Sequence, residues 1–187
     1  MNPADTFAAP DWAGYARAVL SAVVRGTALP EPPAGPVESH AGVFVTLHKH
    51  GRLRGCMGTL DASLPLAAAV REAAISAACH DPRFPPVKPG ELGALDVEVS
   101  VLSTPTAMRS LDDLELGKHG LLVRSGGRRG LFLPQVAVEH GLDKEAFLAR
   151  CCAEKAGLPP DAWRDPGTEV LLFTTSVFRE RGPHASA

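Results

Sequence analysis

The sequence lacks a long apolar run, a leader-like N-terminus, a paired-cysteine motif and any large net charge, and each shortage removes a class of function. No stretch approaches the roughly 20 apolar residues that cross a bilayer as a helix. The opening MNPADTFAAPDW has no basic segment followed by an apolar core, so no secretory signal is read and a cytoplasmic location is expected. In that compartment the cysteines at 56, 79, 151 and 152 are expected to stay thiols rather than form a disulfide framework. There is no Cys-x-x-Cys pair, and adjacent Cys151 and Cys152 would point about 100° apart on a helix. Neither a metal nor another cofactor is therefore expected. A net charge of −2 gives no general drive toward nucleic acid or an anionic membrane. The small basic clusters Arg52/Arg54 and Arg124/Arg128/Arg129 read as solvated turns rather than a phosphate track.

What is present suits a globular chain. Its 187 residues fit one domain, or one domain with a smaller lobe, and its hydrophobic fraction of 45% is that of a folded protein. DWAGYARAVLSAVVRG has apolar residues at helical spacing and ends near Gly26. GVFVTLHKHGRLRGCMGTL reads as two strands about a turn at His50-Gly51. PLAAAVREAAISAACH is an Ala-rich helix with Asp61 or Ser63 as N-cap, stopped at Asp81-Pro82; its alanines imply a close approach of helix to sheet. ALDVEVSVLST alternates, with Asp96, Glu98 and Ser100 on one face and valines on the other. HGLLVRSGGRRGLFLP reads as a hairpin through Gly126-Gly127. Helical QVAVEHG and DKEAFLARCCAEKAGL follow, the second capped by Asp143 and ending near Gly157. TEVLLFTTSVF is read as one final strand, and residues 181–187 as a frayed tail. Hairpins without strict βαβ alternation predict an α+β fold with a mostly antiparallel sheet and packed helices.

The stretch LRGCMGTL holds a cysteine between two glycines, two residues after Arg54. A two-residue turn at His50-Gly51 would set Cys56 opposite Val45 and mix polar with apolar faces. A turn one residue longer sets Cys56 opposite Thr46 and Arg54 opposite His48, with Leu53 and Met57 on the face of Val43, Val45 and Leu47. The second register is preferred, because a slip of one residue would turn the apolar set out of the core. Arg54 would then stand about 7 Å from Cys56, near enough to favour its thiolate. Gly55 and Gly58 would admit a second backbone or a ligand. A strand cysteine is also a common packing residue, and spacing alone leaves both readings open.

The run Leu53-Arg54-Gly55-Cys56-Met57-Gly58-Thr59 resembles the LRGCIGT hallmark of the AMMECR-type domain, with Met in place of Ile. The likeness extends through DPRFPP at 81–86, LDVEVSVLS at 95–103, KHGL at 118–121, RGLFLPQVA at 129–137 and CAEKAGLP at 152–159. The resemblance implies an α+β fold with a larger lobe, a smaller lobe and a cleft between them, spanning residues 1–180. It also implies membership of the AmmeMemoRadiSam system as its protein A. The partners in that association are a radical-SAM protein and a Memo-like protein similar to ring-cleaving non-haem iron dioxygenases. The association fixes no reaction.

Carried over by position, the motif residues able to do chemistry are Arg54, Cys56, Asp81, Arg83, Glu98, His119 and Gln135. Cys56 is the candidate nucleophile. His119 is its candidate base, against a reading in which it caps the bend into the next strand. Glu98 would orient His119, or else form an ion pair with Arg54 or Arg83. Arg54, Thr46, Arg83 and Gln135 would line a substrate site, with Arg83 pointing inward from a rigid DPRFPP loop and Phe84 in the core. Two functions follow: a small thiol-dependent cleft enzyme, or a non-catalytic protein that binds those partners or their product.

Overall fold

The computed structural model describes residues 10–33, 40 and 42–180. The expected tail at 181–187 lies outside them. The chain divides into two compact units, one formed by residues up to Val101 together with those from Val177, the other by Leu102–Ser176.

In the first unit, helix α1 (Trp12–Arg25) starts where the Asp11 carboxylate accepts the Gly14 N–H and ends on left-handed Gly26. Strands β1 (Gly42–Lys49) and β2 (Arg52–Thr59) form an antiparallel hairpin. Helix α2 (Leu66–Cys79) follows, then a 3-10 turn at Pro89–Ala94 and strand β3 (Leu95–Leu102). The last strand among the described residues, β8 (Thr175–Glu180), completes a sheet of order β2-β1-β3-β8. Val43, Val45, Leu47, Val97 and Val99 pack under the alanines of α2, and α1 packs on α2. A Cβ on Gly55 would collide with the Ala77 carbonyl of α2, so this glycine permits the helix to lie close on the sheet.

The second unit holds β4 (Thr106–Ala107), β5 (Gly120–Ser125), β6 (Arg128–Phe132) and β7 (Glu169–Phe173) in the order β4-β7-β5-β6. Helices α3 (Gln135–Glu139) and α4 (Lys144–Arg150) cover it, with Asp143 capping α4 as its sequence position implies. Helix α4 runs on as a π turn over Cys151–Ala156 that ends at left-handed Gly157. Its core, built on Leu121, Phe132, Phe147, Cys151 and Cys152, is separate from that of the first unit. Among the described residues no helix is long and apolar enough to cross a membrane.

The architecture is therefore α+β with two four-stranded sheets, and three local expectations need correction. TEVLLFTTSVF is not one strand: Thr174 interrupts it, and its halves join different sheets. Neither Asp61 nor Ser63 caps α2. Its N-cap position is Pro65, and Asp61 instead accepts the N–H and hydroxyl of Ser63 in a local turn. Leu53 does not join the core and is 41% exposed.

The reason for the last lies in the hairpin, which contains both of the registers that the sequence allows. Its tip is a two-residue turn with His50 and Gly51 both left-handed (φ 51° and 72°), pairing Lys49 with Arg52 and His48 with Leu53. A β-bulge then leaves Arg54 without a partner, and from Leu47–Gly55 onward the pairs are those of the longer-turn register, Thr46 with Cys56 among them. The bulge reconciles a tight tip with a buried apolar face.

Candidate functional site around Cys56

Cys56 lies on β2, an edge strand of the first sheet. Its backbone N–H donates to Asp81 Oδ2 at 2.8 Å, and its carbonyl accepts from Arg83 Nη2 at 3.0 Å. Both groups thus point away from β1, which makes Thr46–Cys56 a pair without mutual backbone bonds, the kind whose side chains approach most closely. Accordingly Thr46 Oγ1 donates to Cys56 Sγ at 3.3 Å. One carboxylate and one guanidinium occupy the place of a missing neighbour strand and block further pairing at this edge.

Asp81 anchors the arrangement. Its side chain is 2% exposed, and it accepts from Arg83 N, Nε and Nη2 as well as from Cys56. These bonds, led by those from the Arg83 side chain, hold its carboxyl well below the usual carboxylate range. Arg83 holds its proton more tightly than usual, first through Asp81 and then through Cys56, which lies within its electrostatic reach. Arg83 does not point inward: its side chain is 54% exposed, with the guanidinium 5.5 Å from the centre of the Phe84 ring. Phe84 is half-buried beneath it rather than part of the core.

Arg54 is not the cation that serves Cys56. At the bulge it turns to Glu91, donating from Nε at 3.1 Å and Nη2 at 3.0 Å in a bidentate pair that is mostly buried. Lys49 Nζ joins the same carboxylate at 2.9 Å. Glu91 is held down to about 2, chiefly by Arg54 and despite its desolvation. This cluster ties the hairpin to the 3-10 turn after the proline loop.

Glu98 lies on β3, where Arg179 Nε of β8 donates to it at 2.7 Å, so its ion pair is with neither Arg54 nor Arg83. His119 and Gln135 belong to the second unit. His119 Nδ1 accepts the Glu115 N–H at 3.1 Å, while the His119 backbone N–H donates to the Glu115 carbonyl at 2.9 Å. With Nδ1 accepting, a neutral ring carries its proton on Nε2, and the imidazole in this turn is a donor at its other nitrogen. Gln135 opens α3 and has no side-chain hydrogen bond among the described residues.

Comparison with known proteins places the chain in a family. The AMMECR1 family model matches residues 13–178. The chain belongs to the AMMECR1 family. A Methanothermobacter thermautotrophicus protein is 48% identical over 176 residues, covering 89% of this chain and 91% of its own length. A Thermococcus kodakarensis protein is 46% identical over 181 residues, covering 90% of this chain and 88% of its own. The crystal structure of an uncharacterized protein from Pyrococcus horikoshii superposes with a TM-score of 0.81 at 41% identity, covering 93% of this chain and 94% of that one.

Within this AMMECR1 domain the cysteines divide sharply. Cys56 is half-buried with a polar partner, whereas Cys151 and Cys152 are fully buried. Burial pushes the Cys151 thiol up to about 12, and raises those of Cys152 and Cys79 as well. Among the described residues no cluster of His, Cys, Asp and Glu could hold a metal. Asp81 and Glu91 are the residues whose importance the sequence reading understated. A signal existed for Asp81: it follows the C-terminus of α2, where the helix dipole disfavours negative charge, so a carboxylate there implies compensating donors.

Proposed function

We propose that this AMMECR1 protein acts through Cys56, as a small thiol-dependent enzyme or as the thiol-bearing component of a system with a radical-SAM and a Memo-like protein. One observation carries the reading: the Thr46 hydroxyl donates to the Cys56 sulfur and the Arg83 guanidinium sits on the carbonyl of the same residue, while the other three thiols are buried or raised by burial. A hydroxyl donor and a cation both stabilise negative charge on sulfur, and the thiolate is the reactive form. The chemistry this supports is attack of the sulfur lone pair on an electrophilic carbon. The thiol proton passes to water, an S–C bond forms, and the leaving group departs with the pair of the bond that breaks. Asp81 is the positioning residue, since it fixes both the backbone of Cys56 and the guanidinium of Arg83.

The test is alkylation by iodoacetamide across pH, with each cysteine followed by mass spectrometry. Cys56 is expected to react first near neutral pH, with Thr46→Val and Arg83→Gln each slowing it several-fold. His119→Gln slows it as well if the imidazole acts as base, and leaves it unchanged if the ring serves its turn alone. Should Cys56 in the native protein react no faster than Cys79, the thiol reading is wrong. A Cys56→Ala protein that retains full activity in a reconstituted three-component reaction would then identify a purely binding role.

A further inference from the structure

The hairpin of the second unit carries charge that its own fold does not balance. Arg124 on β5 stands directly opposite Arg129 on β6, and both are exposed. Like charges facing each other across two strands oppose their pairing. Glu169 on β7 lies opposite Arg124 on its other side, but the pair is 3.7 Å apart and each side chain is more than half exposed. A contact so long and so hydrated is too weak to neutralise two guanidiniums. Arg128 commits Nη1 to the Gly157 carbonyl at 2.6 Å, and Arg129 has no ion pair among the described residues.

The same turn offers space. Residues 124–129 and Gly167 line a concavity of about 360 Å³. At Gly126, Gly127 and Gly167 an added Cβ would meet nothing within 4 Å. Gly126 and Gly127 both have left-handed φ (54° and 82°), so the tip presents bare backbone dipoles between arginines.

The geometry points to a binding site at the β5–β6 turn for a phosphate-bearing small molecule, held by Arg124 and Arg129 beside the Gly126–Gly127 backbone. A phosphate group matches the fork of guanidinium donors bidentately, and a monoester brings about two negative charges near neutral pH. A compact anion fits better than a polyanion, because the chain as a whole carries a net charge of −2 and offers a long strand no general attraction. The site is independent of the thiol chemistry at Cys56.

The experiment titrates the full chain with inorganic phosphate and with pyrophosphate, against chloride at matched ionic strength, by calorimetry and amide NMR. Saturable binding of pyrophosphate is expected, with shifts at the Gly126 and Gly127 amides. Arg129→Gln should weaken it about tenfold, the worth of one charge-assisted hydrogen bond. Without anion the same variant should melt no lower than the parent, because the opposed pair is relieved. Arg124→Gln should act in the same direction and serves if either variant fails to fold, while Arg150→Gln, paired with Glu154 elsewhere in this unit, should leave binding unchanged. Equal shifts with chloride, or no saturation, would overturn the proposal. So would an Arg129-dependent oligonucleotide that binds tighter than pyrophosphate, which would make the turn a nucleic-acid contact.

Discussion

Two carboxylates, Asp81 and Glu91, organise the cations around the Cys56 strand, and both are held below their ordinary range by those cations. The sign of the resulting pH dependence follows. A carboxyl with a depressed folded value binds fewer protons folded than unfolded, so its contribution is complete above the unfolded value and is lost as pH falls. For Glu91 the window runs from its ordinary 4.5 down to about 2, and Asp81 adds to the loss over the acid range. Denaturant midpoints measured across this window should fall with pH, and Glu91→Gln should flatten part of the slope while lowering stability at neutral pH. An unchanged slope would mean that the Arg54–Glu91 pair persists in the unfolded chain or adds nothing. At this scale the Thr46–Cys56 partnership was legible, since strand alternation and an apolar face determine it. The exchange of cations was not. Arg54 finds Glu91 37 residues later along the chain, across a proline loop whose path no local pattern encodes, and that leaves the Cys56 side to Arg83.

Elements were more legible than their joints. Helix α1, the Gly126-Gly127 hairpin and the Asp143 cap follow from periodicity, turn chemistry and capping, all of which act over a few residues. The β1–β2 register was legible along most of its length, and the bulge at Arg54 was not, because it is a compromise between tip and core rather than a preference of either. The same hairpin shows how a glycine sets the spacing between elements. A methyl group at Gly55 would meet the backbone oxygen of Ala77, which cannot rotate aside as a side chain could. Gly55→Ala is therefore expected to cost about 1–3 kcal/mol, the usual range for overpacking. Urea denaturation of the full chain checks the cost. Because α2 must lift from the strand that carries Cys56, the variant should also alter the alkylation rate of that cysteine. A neutral result in both would show that the helix shifts without resistance.

At the scale of the whole chain, the sequence allows one domain with a smaller lobe and its resemblance implies two lobes, and the described residues form two cores that share no buried side chain. What no local pattern marked is the point of crossing, because the final strand run looks continuous while the chain changes sheets at Thr174. Separate cores give separate cooperative units when burial within each outweighs what couples them. The protein carries its own reporters: Trp12 is buried in the first core and Trp163 packs against the second, with Cys79 against the first and Cys151 and Cys152 inside the second. In urea, Cys151 and Cys152 are expected to become reactive along the fluorescence transition of Trp163, read in a Trp12→Phe chain. Cys79 should follow Trp12, read in a Trp163→Phe chain. Cys56 should label before either transition, since its reaction needs no unfolding. Coincident midpoints for both tryptophans and all three buried or raised thiols would mean a single cooperative unit and would overturn the expectation of separate unfolding.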